Sequence, residues 1–179
     1  MSFFLSLSNL IDKINEYIGR IAVWMVLFAC VISAGNAAIR YAFDRSSNGW
    51  LEIQWYMFAA IVLLGAAYTL KLNEHVRVDV LYGRLKPRTQ AWIDLLGMLF
   101  FLMPTCVIVA WMSWPFFVDA FLTGEMSSQP SGLIRWPVKL ILPIGFAMIA
   151  IQGVSEIIKR IGYLSGKYNM DTHYERPLQ

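Results

Sequence analysis

The sequence predicts an all-α integral membrane protein: four transmembrane helices plus an N-terminal amphipathic helix, with both termini cytoplasmic. Three observations predict it. First, 58% of the 179 residues are hydrophobic and only 15% are charged, against about 25% charged in a soluble domain. Second, the apolar residues gather in four runs, each near the roughly 20 residues a helix needs to cross the hydrocarbon core. Third, the basic residues follow the connections. Eleven of the fifteen Lys and Arg lie in the first 20 residues, the connection 71–88 and the tail from Lys159, against four (Arg40, Arg45, Arg135 and Lys139) in the other two connections. Short loops rich in Lys and Arg stay on the cytoplasmic side, which sets the orientation. The net charge of +3, with no basic stripe interleaved with aromatics, argues against a nucleic-acid partner.

The whole chain, residues 1–179, reads as one membrane domain. In residues 3–20, Leu7, Leu10, Ile11, Ile14, Ile18 and Ile21 recur at three- and four-residue spacing, the helical period. Asp12, Lys13, Asn15, Glu16 and Arg20 take the other face. This helix either lies in the membrane interface plane or extends the first crossing into the cytoplasm.

Residues 21–39 are the first crossing. With twenty residues ahead of it, it is expected to be retained rather than cleaved as a signal peptide. Its small residues form two rows at four-residue spacing, Ala29–Ser33–Ala37 and Cys30–Ala34–Ala38. Small residues allow close helix approach in a bilayer, so this side is expected to face another helix, with Asn36 beside it. Both cysteines, Cys30 and Cys106, lie inside apolar runs, which argues against a disulfide framework.

Residues 40–50 form a short connection whose turn formers are Ser46, Ser47, Asn48 and Gly49. Glu52 opens the next helix. It is either a terminal charge favoured by the helix dipole or a polar partner for Arg40 that closes the hairpin. The second crossing, residues 53–72, carries a close-packing patch at Gly65, Ala66 and Ala67. In the basic connection that follows, Val76, Val78 and Val80 alternate with Arg77, Asp79 and Leu81. Pro87 suits the first turn of the next helix.

The third crossing covers residues 91–111. Asp94 lies near its start. A carboxylate inside a bilayer is a functional hypothesis by default, but a helix that begins in the cytoplasm would hold Asp94 at headgroup depth. Pro104 is expected to kink the helix. Residues 112–136 are expected to be the longest connection, broken at Trp114-Pro115, Gly124 and residues 129–132, with Phe116, Phe117, Phe121 and Leu122 at the interface. The fourth crossing, residues 138–158, contains Pro143, Gly145 and Gly153 and is stopped by Lys159 and Arg160.

No motif carries a reaction: there is no phosphate-cradling loop, zinc-type cluster or nucleophile elbow. The two histidines, His75 and His173, lie outside the apolar runs, away from where haem ligands would sit. His75 stands beside Glu74 and Asp79 without a third ligand at metal-binding spacing. The expectation is therefore no enzyme, no cofactor and no metal. Two function classes remain: a scaffold subunit that needs a membrane partner, or a stand-alone four-helix transporter acting as a homo-oligomer. The latter would need an ionisable group near mid-helix, which the first, second and fourth crossings lack.

The order and spacing of several short motifs resemble the small membrane subunit of tripartite ATP-independent periplasmic (TRAP) transporters, the DctQ-like group. These are Asn36, Arg40, Tyr41 and Phe43; Trp50 and Glu52; Gly65; His75, Val76, Val78 and Asp79; Glu125 and Ser127; Trp136-Pro137; and Pro143, Gly145 and Phe146. The chain departs from many members at Glu52-Ile53, where they have two adjacent acidic residues. The resemblance implies a three-part system in a bacterial inner membrane. A soluble periplasmic binding protein captures a solute, here an organic acid such as a 2-oxo acid. A large DctM-like membrane subunit carries the sodium and solute sites, and the small subunit extends its static scaffold. Membrane phospholipid is a further expected partner, since Arg40 and Glu52 end adjacent crossings on one side and could share a lipid headgroup. The candidate subunit or lipid interface is then Ala29, Ser33, Asn36, Ala37, Arg40, Glu52, Arg77, Asp79 and Trp136.

Overall fold

The computed structural model describes residues 2–74, 82 and 85–168. The readings made at His75, Val76, Arg77, Val78, Asp79, Val80 and Leu81, and in the tail at His173, lie outside the described residues. Four helices run in order: α1 (Ser2–Phe43), α2 (Asn48–Leu72), α3 (Pro87–Thr123) and α4 (Trp136–Leu164). Each is long and apolar enough to cross a membrane, and each contains one of the four expected crossings. Among the described residues there is no strand, only an isolated bridge between Met126 and Ile134.

α1 decides between the two placements of the amphipathic segment. Residues 3–20 are not a separate helix: they continue into the first crossing as one helix of 42 residues. At 1.5 Å per residue that is about 63 Å, twice the roughly 30 Å of a hydrocarbon core. The segment is amphipathic, and part of its polar side faces inward, while Lys13 and Arg20 stay exposed. Ser8, Asn15, Ala22 and Ala29 are buried and Asn36 is half-buried. Spaced by sevens, they lie on one stripe of the helix. Leu7, Leu10, Ile14 and Ile21 are exposed. In lipid the outer face must be apolar, and polar groups are satisfied inside the bundle. The small-residue rows divide between the bundle and its outer surface. Ala29 is 2% exposed, but Ser33, Ala37, Cys30, Ala34 and Ala38 all face outward.

α3 is longer than expected. It runs through Trp114-Pro115 to Thr123 and ends at Gly124, whose φ of +60° suits glycine, with Glu125 N–H bonded to Ala120 O at 3.0 Å. About half of the region 112–136 is therefore helix, and the connection is residues 124–135. Pro104 does not simply bend α3. A π-turn spans Met98–Leu102 just before it, closed by Met103 N–H on Met98 O. The extra residue in that turn accommodates a proline that has no N–H and crowds the preceding turn.

α4 is the hub: among the described residues it packs against α1, α2 and α3, while α3 packs chiefly on α4. Glycines set the close approaches. A Cβ on Gly145 would lie 2.7 Å from Leu63 Cβ and 3.0 Å from Leu63 O on α2. One on Gly153 would lie 2.8 Å from Leu102 Cδ2, so the π-turn of α3 seats against it. One on Gly19 would lie 2.4 Å from the Tyr68 ring, where α1 meets α2.

Candidate functional site

The buried polar groups concentrate at two ends of the bundle. At the N-terminal end, α1 presents Ser8, Asp12 and Asn15 to Gln152, Ser155, Glu156 and Lys159 on α4. The α4 residues recur every three or four positions and so share a face. Ser8 Oγ and Ser155 Oγ are 2.6 Å apart. Asn15 Nδ2 donates to Gln152 Oε1 at 2.7 Å, and Gln152 Nε2 donates to Asp12 Oδ1 at 2.9 Å. Ser155 Oγ donates to the same Asp12 oxygen at 2.8 Å. Lys159 Nζ bridges Asp12 Oδ2 at 2.6 Å and Glu156 Oε1 at 2.7 Å. Gln152 is 0% exposed.

This chain of bonds continues to α3 through Arg160, which is 1% exposed. Its Nη1 reaches Glu156 Oε2 at 2.6 Å and its Nη2 reaches Asp94 Oδ2 at 3.1 Å. Arg160 is therefore a clamp between α4 and α3. Asp94 is half-buried and ion-paired rather than a lone headgroup charge. A planar guanidinium with several donors suits this double pairing better than an ammonium. Beside this network, one turn along α1 from Asp12, Glu16 binds Arg20 Nη2 at 2.5 Å and Lys71 Nζ at 2.8 Å, tying α1 to α2.

The opposite end holds Glu52, 3% exposed. Ser131 Oγ donates to its Oε2 at 2.7 Å and Tyr56 Oη to its Oε1 at 3.2 Å. Arg40 is exposed and does not reach it, so the Arg40–Glu52 contact is not formed. Glu52 pins the 124–135 connection to α2 instead. Asn36 Oδ1 accepts from Ser47 N–H at 3.4 Å, within the hairpin rather than across a helix contact. In the connection, Glu125 pairs with Lys139 and with Arg135, the latter at 3.3 Å. Lys139 also lies over the Phe116 ring, 3.8 Å from its centre. The Lys139 hydrogen bond, ahead of other causes, holds the Glu125 carboxyl below its usual range. Trp136 packs edge-on against Phe121, with ring centres 5.6 Å apart, and against Phe117.

Of the sequence-predicted interface residues, Ala29 is used inside the bundle, Glu52 and Trp136 are engaged at its hairpin end, and Ser33, Ala37 and Arg40 face outward. The residues that sequence reasoning missed are Ser8, Asp12, Asn15, Gln152, Ser155, Glu156, Lys159 and Arg160. The signal was present as polar residues at helical spacing in both α1 and α4. What the arrangement does chemically is hold helices together: its carboxylates are matched by cations and amide or hydroxyl donors of the same bundle. Among the described residues no group of His, Cys, Asp and Glu could hold a metal ion.

Comparison with known proteins bears on the same span. The family model of the DctQ component of tripartite ATP-independent periplasmic transporters matches residues 29–162. A Haemophilus influenzae protein described as a TRAP transporter small permease protein is 25% identical over 127 residues, covering 70% of this chain and 78% of its own length. The C4-dicarboxylate TRAP transporter small permease protein DctQ of Pseudomonas aeruginosa is 25% identical over 172 residues, 90% of this chain and 80% of its own length. No solved structure matches the chain.

Proposed function

The chain belongs to the DctQ component family of the tripartite ATP-independent periplasmic transporters, and we propose that it is the static scaffold subunit of such a transporter. As a small permease subunit it is a multi-pass membrane component of a transporter and not an enzyme. The finer reading is ours. The chain sits in a bacterial inner membrane with both termini cytoplasmic and binds a large DctM-like subunit. It supports sodium-driven uptake of an organic acid delivered by a periplasmic binding protein.

The observation that carries the scaffold reading is that the buried charges lock the helices to one another. Asp12, Lys159, Glu156, Arg160 and Asp94 form one connected set across α1, α4 and α3. A solute or ion site needs polar groups free to exchange partners, and these are committed to structure. The outward small-residue face of α1, with Cys30, Ser33, Ala34, Gly35, Ala37 and Ala38 exposed, then serves as the face for the large subunit, because small residues permit close helix contact.

The deciding experiment is reconstitution. The chain alone is expected to move no solute on a sodium gradient, and to co-purify one-to-one with the large subunit encoded beside it. Solute movement by this chain alone would overturn the scaffold reading in favour of a stand-alone homo-oligomeric transporter.

Orientation has its own test. In cells lacking Cys30 and Cys106, single cysteines at Ser46 and Ser128 should react with an impermeant thiol reagent, and one at Thr89 should not. All three positions are exposed, whereas Ser127 is 9% exposed and would label poorly for local reasons. Labelling at Thr89 without labelling at Ser46 would invert the topology.

A further inference from the structure

A groove of about 410 Å³ runs along the outside of the α1–α2 contact. Its floor comes from small residues: Gly19 and Ala22 on α1, Gly65 and Ala66 on α2. Thr69 also lines it, but its hydroxyl is turned back onto Gly65 O at 3.2 Å, so the surface offered is apolar. The groove spans Gly19 to Val26 on one helix and Ile61 to Thr69 on the other. At 1.5 Å per residue that is about 10–12 Å. This length decides the occupant. The hydrocarbon core is roughly 30 Å thick, so a partner's transmembrane helix would need a groove more than twice as long. One acyl chain, running from headgroup depth toward the midplane, needs about half the core.

The charges at one end agree. At the end of the groove marked by Gly19 and Thr69, Arg20 turns back toward Glu16 and shares its carboxylate with Lys71, a cluster that carries one positive charge in excess. Arg20 has a side chain 72% exposed and can turn a donor outward, while Lys71 is largely covered. We propose that this groove is a binding site for an anionic phospholipid: one acyl chain lies over Gly65 and Ala22, and the phosphate is met by Arg20. The lipid would brace α1 against α2 on the side where α4 does not. The site depends on the membrane placement of α1 and α2, not on the identity of the large subunit.

The test is native mass spectrometry of the purified full chain in detergent, titrated with dioleoylphosphatidylglycerol or dioleoylphosphatidylcholine. The expected result is one retained phosphatidylglycerol per chain, bound about fivefold more tightly than phosphatidylcholine, the effect of one basic residue near an anionic headgroup. Arg20→Gln should bring the two lipids to equal affinity. Gly65→Leu should abolish retention of both. A Cβ at Gly65 meets only Ala22 Cβ, at 3.9 Å, so a side chain can start there without a backbone clash. Val62→Phe, at an exposed lining position, is the second blocking variant, with helicity checked by circular dichroism. Three results would each overturn the proposal. These are equal binding of the two lipids by the native chain, unchanged lipid preference in Arg20→Gln, or undiminished retention in both blocking variants. A lipid-free dimer that Gly65→Leu converts to a monomer would assign the groove to a second copy of the chain instead.

Discussion

Replacing Arg160 with methionine is expected to destabilise the bundle by about 3–5 kcal/mol, the range for removing one partner of a buried ion pair. For a chain of this size that corresponds to a fall of roughly 10 °C in apparent melting temperature. The reason is charge balance in a place water does not reach. Among the described residues, the ion pairs of this set join three carboxylates, Asp12, Asp94 and Glu156, to two cations, Lys159 and Arg160. Methionine keeps much of the side-chain volume but leaves Glu156 with Lys159 alone, which Asp12 also shares. Glu156, 5% exposed, is the most penalised, and Asp94 loses the guanidinium that ties α3 to α4. The double substitution Glu156→Gln with Arg160→Met removes one charge of each sign, leaves the net charge as it was, and should recover a good part of the loss. Thermal unfolding in detergent measures both. Equal melting of the single and double variants would place the effect in the shape of the guanidinium fork rather than in its charge. A native-like melting temperature for Arg160→Met would show that the clamp is dispensable.

The four crossings were legible because hydropathy and length are properties of the chain alone. What the sequence did not yield was which way each face points. Asp12, Asn15 and Glu16 read as a water-facing side because that is where such residues go in a soluble amphipathic helix. Between lipid and protein the sense reverses, and only the partner on α4 makes it visible: Gln152, Ser155, Glu156 and Lys159 lie 137 or more residues away in sequence. The outward placement of Ser33 and Ala37 was hidden for a related reason. Small residues mark a close-packing face, but a sequence does not say whether the neighbour belongs to the same chain. Pro115 misled for a different reason. A proline ends most helices in water, yet in a membrane helix the surrounding structure can tolerate it, and α3 ends only where Gly124 adopts a positive φ.

Two of the glycines separate the interior of this bundle from its outer face. Gly145→Val is expected to cost about 1–3 kcal/mol or more, the range for overpacking a close contact. Even the first added carbon would sit 2.7 Å from Leu63 Cβ, 3.0 Å from Leu63 O and 3.2 Å from Leu63 C. Two of those three atoms are backbone, so α2 and α4 must separate rather than a side chain turn aside. Their separation also strains the end of the bundle where Glu52 on α2 holds Ser131 just ahead of α4. Gly145→Ala should show the same direction with a smaller drop. Gly35 is the control, because a Cβ there meets nothing within 4 Å. In the isolated chain Gly35→Ala should be neutral or slightly stabilising, since alanine is better than glycine in a helix interior by roughly 0.5–1 kcal/mol. Gly35 lies among the outward residues Ser33, Ala34 and Ala37, so Gly35→Leu tests the proposed subunit face. Its melting temperature alone should be unchanged, while its yield in a pull-down with the large subunit should fall several-fold. Gly145→Val should lose melting temperature whether or not the partner is present. If Gly35→Leu leaves complex formation intact, the small-residue face of α1 is a lipid-facing surface and the large subunit docks elsewhere on the bundle.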